Sequence, residues 1–166
     1  EAVLQNLNRD KYEPIDIFID KTGVWHLGGV AIEPHRAFRA LDAVFNAMHG
    51  EYGEDGKVQQ LLEAHRMPYT GSNSLASATA MHKRLAKKIF ELSGIKTPSA
   101  TSVRAGDDIA AKAAESVRQS ALPLIVKPAS RGSSVGVSVA HNIYDLIKQI
   151  QRAFDYDDEI LVEKKI

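Results

Sequence analysis

The sequence contains no cysteine, which excludes a disulfide framework, a thiolate zinc site and a cysteine nucleophile. It has no excess of charge of either sign: 21 basic and 21 acidic side chains cancel. That balance is unsuited to a general nucleic-acid or polyanion binder. No apolar run approaches the roughly 20 residues that cross a bilayer. The opening residues Glu1-Ala2-Val3-Leu4-Gln5-Asn6-Leu7 have neither a basic start nor a long apolar centre, so no signal peptide is expected. These absences fit a cytoplasmic protein with no membrane and no nucleic-acid partner. What remains is 166 residues, 44% hydrophobic and 25% charged, the composition of an ordinary globular protein.

Charge is nevertheless unevenly spread. Residues 1–80 hold 7 basic and 11 acidic side chains, and residues 81–166 hold 14 and 10. A basic half suits an anionic ligand, most simply a nucleotide. The competing reading is charge dispersed over a solvated surface.

Apolar spacing predicts a helix already under way at Val3, Leu4 and Leu7, then strands over residues 14–20 and 24–27 separated by a Lys21-Thr22-Gly23 turn. The compact run over 42–48 reads as a buried parallel strand that enters a site loop at His49-Gly50. Val58, Leu61 and Leu62 mark a helix. A helical stretch follows with Leu75 and Ala78, then Leu85, Ile89, Phe90 and Leu92 on one stripe, closed by Gly94. Residues 97–103 read as extended, and Asp107 as the N-cap of a helix to about Gln119. Strands are expected over 122–128, 135–139 and 159–163, with a helix capped by Asn142 between the last two. Strands alternating with helices define an α/β chain, with a boundary near residues 71–80.

Three segments could carry chemistry. Ala129-Ser130-Arg131-Gly132-Ser133-Ser134-Val135-Gly136 joins two strands, and its glycines and free amides could surround phosphate oxygens. It is not a Walker loop, and a plain hairpin link is the alternative. Lys127 ends an otherwise apolar strand, where an unpaired ammonium is costly, so a nearby anion is implied; an edge lysine reaching water is the alternative. His49-Gly50-Glu51-Tyr52-Gly53-Glu54-Asp55-Gly56 follows a strand end, where open α/β sheets place ligands, or else is a solvated acidic turn. Only His49 there is a favoured nitrogen donor, which makes a weak metal site. Lys83, taken alone, reads as part of a basic helical surface with Lys87 and Lys88. His26, His35, His65, His82 and His141 have no partners that spacing identifies.

Taken in order, these segments resemble the D-alanine–D-alanine ligases of the ATP-grasp superfamily. The carrying stretches are Val44-Phe45-Asn46-Ala47-Met48-His49-Gly50, Tyr52-Gly53-Glu54-Asp55-Gly56, Pro68-Tyr69-Thr70-Gly71-Ser72, Lys83, Val126-Lys127-Pro128-Ala129, Gly132-Ser133-Ser134-Val135-Gly136 and Leu161-Val162-Glu163-Lys164. The resemblance implies a Rossmann-like pre-ATP-grasp domain over residues 1–72, lacking its first strand. It implies the central α+β domain of an ATP-grasp fold over 73–166, with a mostly antiparallel sheet. It implies ATP-dependent joining of two D-alanines through an acyl phosphate, for peptidoglycan precursor synthesis.

By the same resemblance, Lys83 and Lys127 hold ATP phosphates, and Ser133, Ser134, Val135 and Gly136 form the phosphate-covering loop. Ser133 also joins the polar network near the second D-alanine. His49 and Glu54 lie near the first D-alanine, and Glu163, Lys164 and Ile166 line the adenine. Mg2+ accompanies ATP, with its ligands expected beyond this chain, and a homodimer is common in the family. His82 departs from the pattern, because an acidic residue commonly precedes the lysine. The resemblance also implies a fragment, inactive alone, because the opening glycine-rich loop and the second ATP-grasp half have no counterpart here. A ligase taking D-lactate or D-serine second is one alternative. A non-catalytic nucleotide-binding module is another, disfavoured by the joint presence of Lys127, Ser133 and His49.

Overall fold

A computed structural model describes residues 2–166. They divide into two compact units, the residues through Asn46 together with Leu61–Gly71, and Ala47–Gln60 together with Ser72–Ile166. Among the described residues no helix is long and apolar enough to cross a membrane.

The first unit opens with α1 (Ala2–Asn6) and a three-stranded antiparallel sheet of β1 (Ile17–Ile19), β2 (Trp25–Leu27) and β3 (Val30–Ile32). The β1–β2 turn forms because Asp20 Oδ1 accepts the Thr22 and Val24 amides at 2.8 and 3.1 Å, while Gly23 takes the left-handed φ the turn needs. β3 is a strand the periodicity does not predict, as are α2 (Pro34–Ala37) and the 3-10 turn Phe38–Ala40. Each is too short to show a period. Trp25 packs edge-on against Phe38, whose ring meets His65 at 5.1 Å.

The buried parallel strand expected over 42–48 is not present as such. The segment is extended, but only Val44 pairs, in parallel with Tyr69. Two backbone hydrogen bonds make the bridge, Val44 N–H to Pro68 O at 2.8 Å and Thr70 N–H to Val44 O at 3.0 Å, and the Asn46 amide adds one to Thr70 Oγ1 at 3.2 Å. With one bridge and no second neighbour among the described residues, Phe45 stays 58% exposed.

After α3 (Lys57–Ala64), the expected single helix over residues 75–92 is two. These are α4 (Ser74–Met81) and α5 (Lys83–Leu92), separated where His82 is extended at φ −84°, ψ 98°. The second unit continues with β4 (Ala100–Arg104), α6 (Ile109–Gln119), β5 (Leu124–Pro128), β6 (Ser138–Ala140), α7 (Ile143–Ala153) and β7 (Glu159–Lys164). The N-cap of α6 is Asp108, accepting from the Ala111 amide, one residue after the expected Asp107. Asp107 instead accepts the Arg104 amide at 2.9 Å. Asn142 caps α7 as expected.

These strands form an antiparallel sheet in the order β4-β7-β5-β6. Alternation along each strand separates two faces. Val103, Leu124, Val126, Ile160 and Val162 point to one face and form a core with Leu146 and Ile150 of α7 and Ala113 of α6. The odd-numbered positions of β5 and β7 point to the other face, where α5 lies. We expect Leu146→Ala, at a fully buried site, to cost about 2–5 kcal/mol through lost burial and the cavity left behind. Urea unfolding would show this as a lower midpoint at unchanged slope.

Candidate nucleotide and amino-acid site

The register Ile125↔Glu163 and Lys127↔Leu161 makes Lys127 and Glu163 diagonal neighbours on the α5 face, within reach of a long side chain. Lys127 Nζ pairs with Glu163 Oε2, and Lys87 Nζ meets Glu163 Oε1 at 3.1 Å. Glu163 is only 4% exposed, so one buried carboxylate serves two ammonium groups. The anion implied beside Lys127 is therefore, in part, the protein's own. One positive charge of this trio is left uncompensated.

Lys83 adds to that surplus. Its Nζ donates to the carbonyls of Pro128, at 2.9 Å, and Arg131. Burial, and then the charge of Lys127, pull its pKa below the usual lysine value, against the opposing influence of Asp157 and Glu163. It is a half-buried group fixed by the backbone, not the surface lysine that its local pattern suggests.

A second carboxylate, Glu159, organises the other end of this face. It accepts from Ser102 Oγ at 2.5 Å and pairs with Arg84 at 2.8 Å, Arg104 at 3.3 Å and His82 at 3.4 Å. Burial acts to raise its pKa, but the hydrogen bonds from Ser102, Arg84 and Arg104 outweigh it and hold the carboxyl below its ordinary value. Lys87, Arg84 and Glu159 are site-face residues that sequence reasoning missed. The i, i+4 spacing of Lys83 and Lys87 was the available signal.

The loop 129–136 is anchored at both ends. Lys83 N–H donates to Ala129 O at 2.8 Å, and Asp157 Oδ2 accepts both the amide and the hydroxyl of Ser130 at 2.6 Å. Ser133 and Ser134 have left-handed φ of 44° and 55°, a conformation that costs a non-glycine residue energy. Ser133, Ser134 and Val135 are exposed. Gly136, at φ 70°, closes the loop where a Cβ would lie 2.6 Å from Pro128 Cγ and 2.9 Å from Tyr156 Cδ2.

His49 is 92% exposed, with Nδ1 3.7 Å from Glu54 Oε1. Glu54 is held by its own loop, accepting the Gly50 amide at 2.5 Å. Gly56 lets this loop approach α4, since a Cβ there would lie 2.4 Å from Ser74 O. Lys164 ends β7 with its amide on Ser99 O, and Ile166 is exposed. The structure thus brings Lys83, Lys127 and Glu163 together beside the 129–136 loop, and pairs His49 with Glu54 separately. His26, His65 and His82, left without partners by sequence, meet Asp20, Phe38 and Glu159.

A helix-backed antiparallel sheet, with clustered lysines and a glycine–serine loop on its far face, is the arrangement the resemblance implies for the central domain of an ATP-grasp fold. The family profile described as "D-ala D-ala ligase N-terminus" matches residues 29–72, and that described as "D-ala D-ala ligase C-terminus" matches residues 89–166. The chain belongs to the D-alanine–D-alanine ligase family. It is 38% identical over 167 aligned positions to the D-alanine–D-alanine ligase of Solibacter usitatus, covering all of this chain and 50% of the relative. The ligase structure from Coxiella burnetii superposes with a TM-score of 0.91 at 29% identity, covering 99% of this chain and 57% of that one. The Bacillus anthracis ligase complexed with ATP gives a TM-score of 0.79 at 32% identity, over 99% and 51%. The chain spans about half the length of the curated relatives it matches.

Two outcomes follow from this geometry. Gly136→Ala combines a disfavoured φ with a clash against the Pro128 and Tyr156 rings and should destabilise the unit by about 1–3 kcal/mol. Gly132→Ala, whose Cβ would meet nothing closer than 3.8 Å, should melt near the parent temperature. Glu159 has a folded-state pKa depressed from 4.5, so its stabilisation is present above that pH and is lost as pH falls through the folded value. Glu159→Gln should therefore flatten the acid limb of the stability curve; equal slopes in both proteins would contradict the assignment.

Proposed function

We propose that this chain carries the phosphate-holding and first-amino-acid elements of an enzyme that joins two D-alanines at the expense of ATP. In that reaction a carboxylate oxygen of the first D-alanine attacks the γ-phosphorus, ADP leaves, and an acyl phosphate forms. The amine of the second D-alanine then attacks the acyl carbon, and the tetrahedral intermediate expels phosphate to give the dipeptide, a peptidoglycan precursor. Residues 1–72 are proposed as the substrate domain and 73–166 as the nucleotide-binding domain. A cytoplasmic location and a homodimer belong to the same reading.

The observation that supports it is the lysine surplus of the α5 face. Lys83 feels the charge of Lys127, and Glu163, paired with Lys127 and Lys87, and Asp157 together leave these three ammonium groups with an excess of positive charge, which suits a polyphosphate. The amides of Ser133, Ser134, Val135 and Gly136 cover the phosphates in this proposal, and Ser133 Oγ reaches toward the second amino acid. Glu163 with the backbone of Lys164 and Ile166 takes the adenine side. His49, oriented by Glu54, meets the carboxylate of the first D-alanine. Among the described residues no group of three His, Cys, Asp or Glu side chains could hold a metal; in this reading magnesium accompanies ATP and its protein ligands lie outside these residues.

ATP titration of the 166-residue chain tests this reading. Lys127→Ala should weaken binding at least tenfold at low salt, and binding by the parent chain should fall as salt rises. Equal affinity for ATP in parent and variant would overturn the phosphate assignment. Phosphate release with ATP, magnesium and D-alanine should be absent for this chain alone, because positioning and charge compensation of the transferring phosphoryl need groups from more than one side.

A further inference from the structure

Arg131 stands at the first turn of the 129–136 loop and is fixed at three atoms. Its Nε donates to Tyr156 O at 2.6 Å, its Nη1 meets Glu51 Oε2 at 2.7 Å, and its own carbonyl accepts from Lys83 Nζ. Glu51 belongs to the loop that carries His49 and Glu54. Its other oxygen lies 3.4 Å from Lys57 Nζ, which in turn meets Asp55 at 3.0 Å. A cavity of about 260 Å³ opens between Glu51, Lys57, His82 and Arg131. Polar contacts therefore run without a break from the 49–56 loop, past an open space, to the ammonium of Lys83.

We infer that the Glu51–Arg131 ion pair is a latch that positions Lys83 and the 129–136 loop according to the arrangement of the 49–56 loop. This rests on the roles proposed above for the two loops. The planar guanidinium, held at Tyr156 and Glu51, restricts rotation of the Arg131 backbone. That backbone presents the carbonyl that holds Lys83. Release of Glu51 removes one of the two side-chain restraints and frees the carbonyl to turn, so Lys83 loses a fixed partner. The side chains of Arg131 and Glu51 are 40% and 65% exposed, and exposed pairs are weak. A weak pair biases two loop arrangements several-fold rather than clamping one, which is what a releasable latch requires. Glu51 and Arg131 are thus positioning residues. A ligand that moves the His49 loop would be felt at the phosphate-holding lysine.

Hydrogen exchange of the 166-residue chain and its ATP affinity test the latch together. Glu51→Gln and Arg131→Gln should each speed amide exchange across residues 129–136 by about two- to fivefold, the range open to an exposed pair. The double variant should exchange no faster than Arg131→Gln alone, since the Glu51 contact is already lost once the guanidinium is removed. Glu51→Gln should also weaken ATP binding about two- to fivefold, and should lose that effect in a Lys83→Met background, where a general loosening of the fold would keep it. Unchanged exchange in Glu51→Gln, additive exchange in the double variant, or an ATP effect that persists without Lys83 would each overturn the latch. Exchange that follows the expected pattern in a chain that binds no ATP would support the loop coupling and overturn the nucleotide reading instead.

Discussion

The charged face of the sheet depends on Glu163, a buried carboxylate placed by strand register within reach of two lysines from different elements. Burying three charges is favourable only when they satisfy one another, because each loses its hydration. Lys127 arrives from β5 and Lys87 from α5, so the carboxylate ties the helix to the sheet through charge rather than apolar packing. α5 is consequently inverted with respect to an ordinary amphipathic helix. Arg84 and Lys87 face the sheet, while Leu85 and Ile89 are 40% and 48% exposed. The apolar core is left to α6 and α7 on the opposite face.

That division of labour lets the sheet do two jobs. One face supplies burial, the dominant favourable contribution to folding. The other is free to hold charge and to support loops whose backbones are not at rest. Ser133 and Ser134 sit in left-handed conformations, and such strain persists only where the surroundings hold it. Asp157 on Ser130 and the tight packing of Gly136 on Pro128 and Tyr156 provide that support at the two ends of the loop. Between them the serine side chains remain exposed.

Membership of the ligase family places both loops in one proposed reaction, and the packing adds how they are joined. Residues 47–60 group with residues 72–166 and not with the first unit that flanks them in sequence. Gly56 allows close approach to α4, and Glu51 reaches Arg131 across 80 residues of sequence. A loop expected to serve the amino acid is thereby built into the unit expected to serve the nucleotide.

Local patterns in the sequence determined what depends on neighbours in the chain. The N-cap at Asn142, the turn after Asp20, the closure of α5 near Gly94 and most strands of the antiparallel sheet were legible because capping, turn chemistry and alternation act over a few residues; the strand expected over 135–139 begins only at Ser138, because residues 133–136 form a turn. The motif segments were legible too, and with them the family. Tertiary structure decided the rest. Asp42 to Met48 has the composition of a buried strand, but a buried strand is paired on both sides, and among the described residues its strand pairing is the single Val44–Tyr69 bridge. The break at His82 separates two helices that periodicity joins, with Lys83 N–H turned to Ala129 O and His82 set beside Glu159. Lys83 and Lys87 look like a solvated helical face because helix spacing says nothing about what lies opposite. Lys87 reaches the nearby carbonyl of Pro98, but the carbonyls of Pro128 and Arg131 that hold Lys83 and the carboxylate of Glu163 that meets Lys87 are more than 40 residues away in the chain, and only the folded sheet brings them within reach.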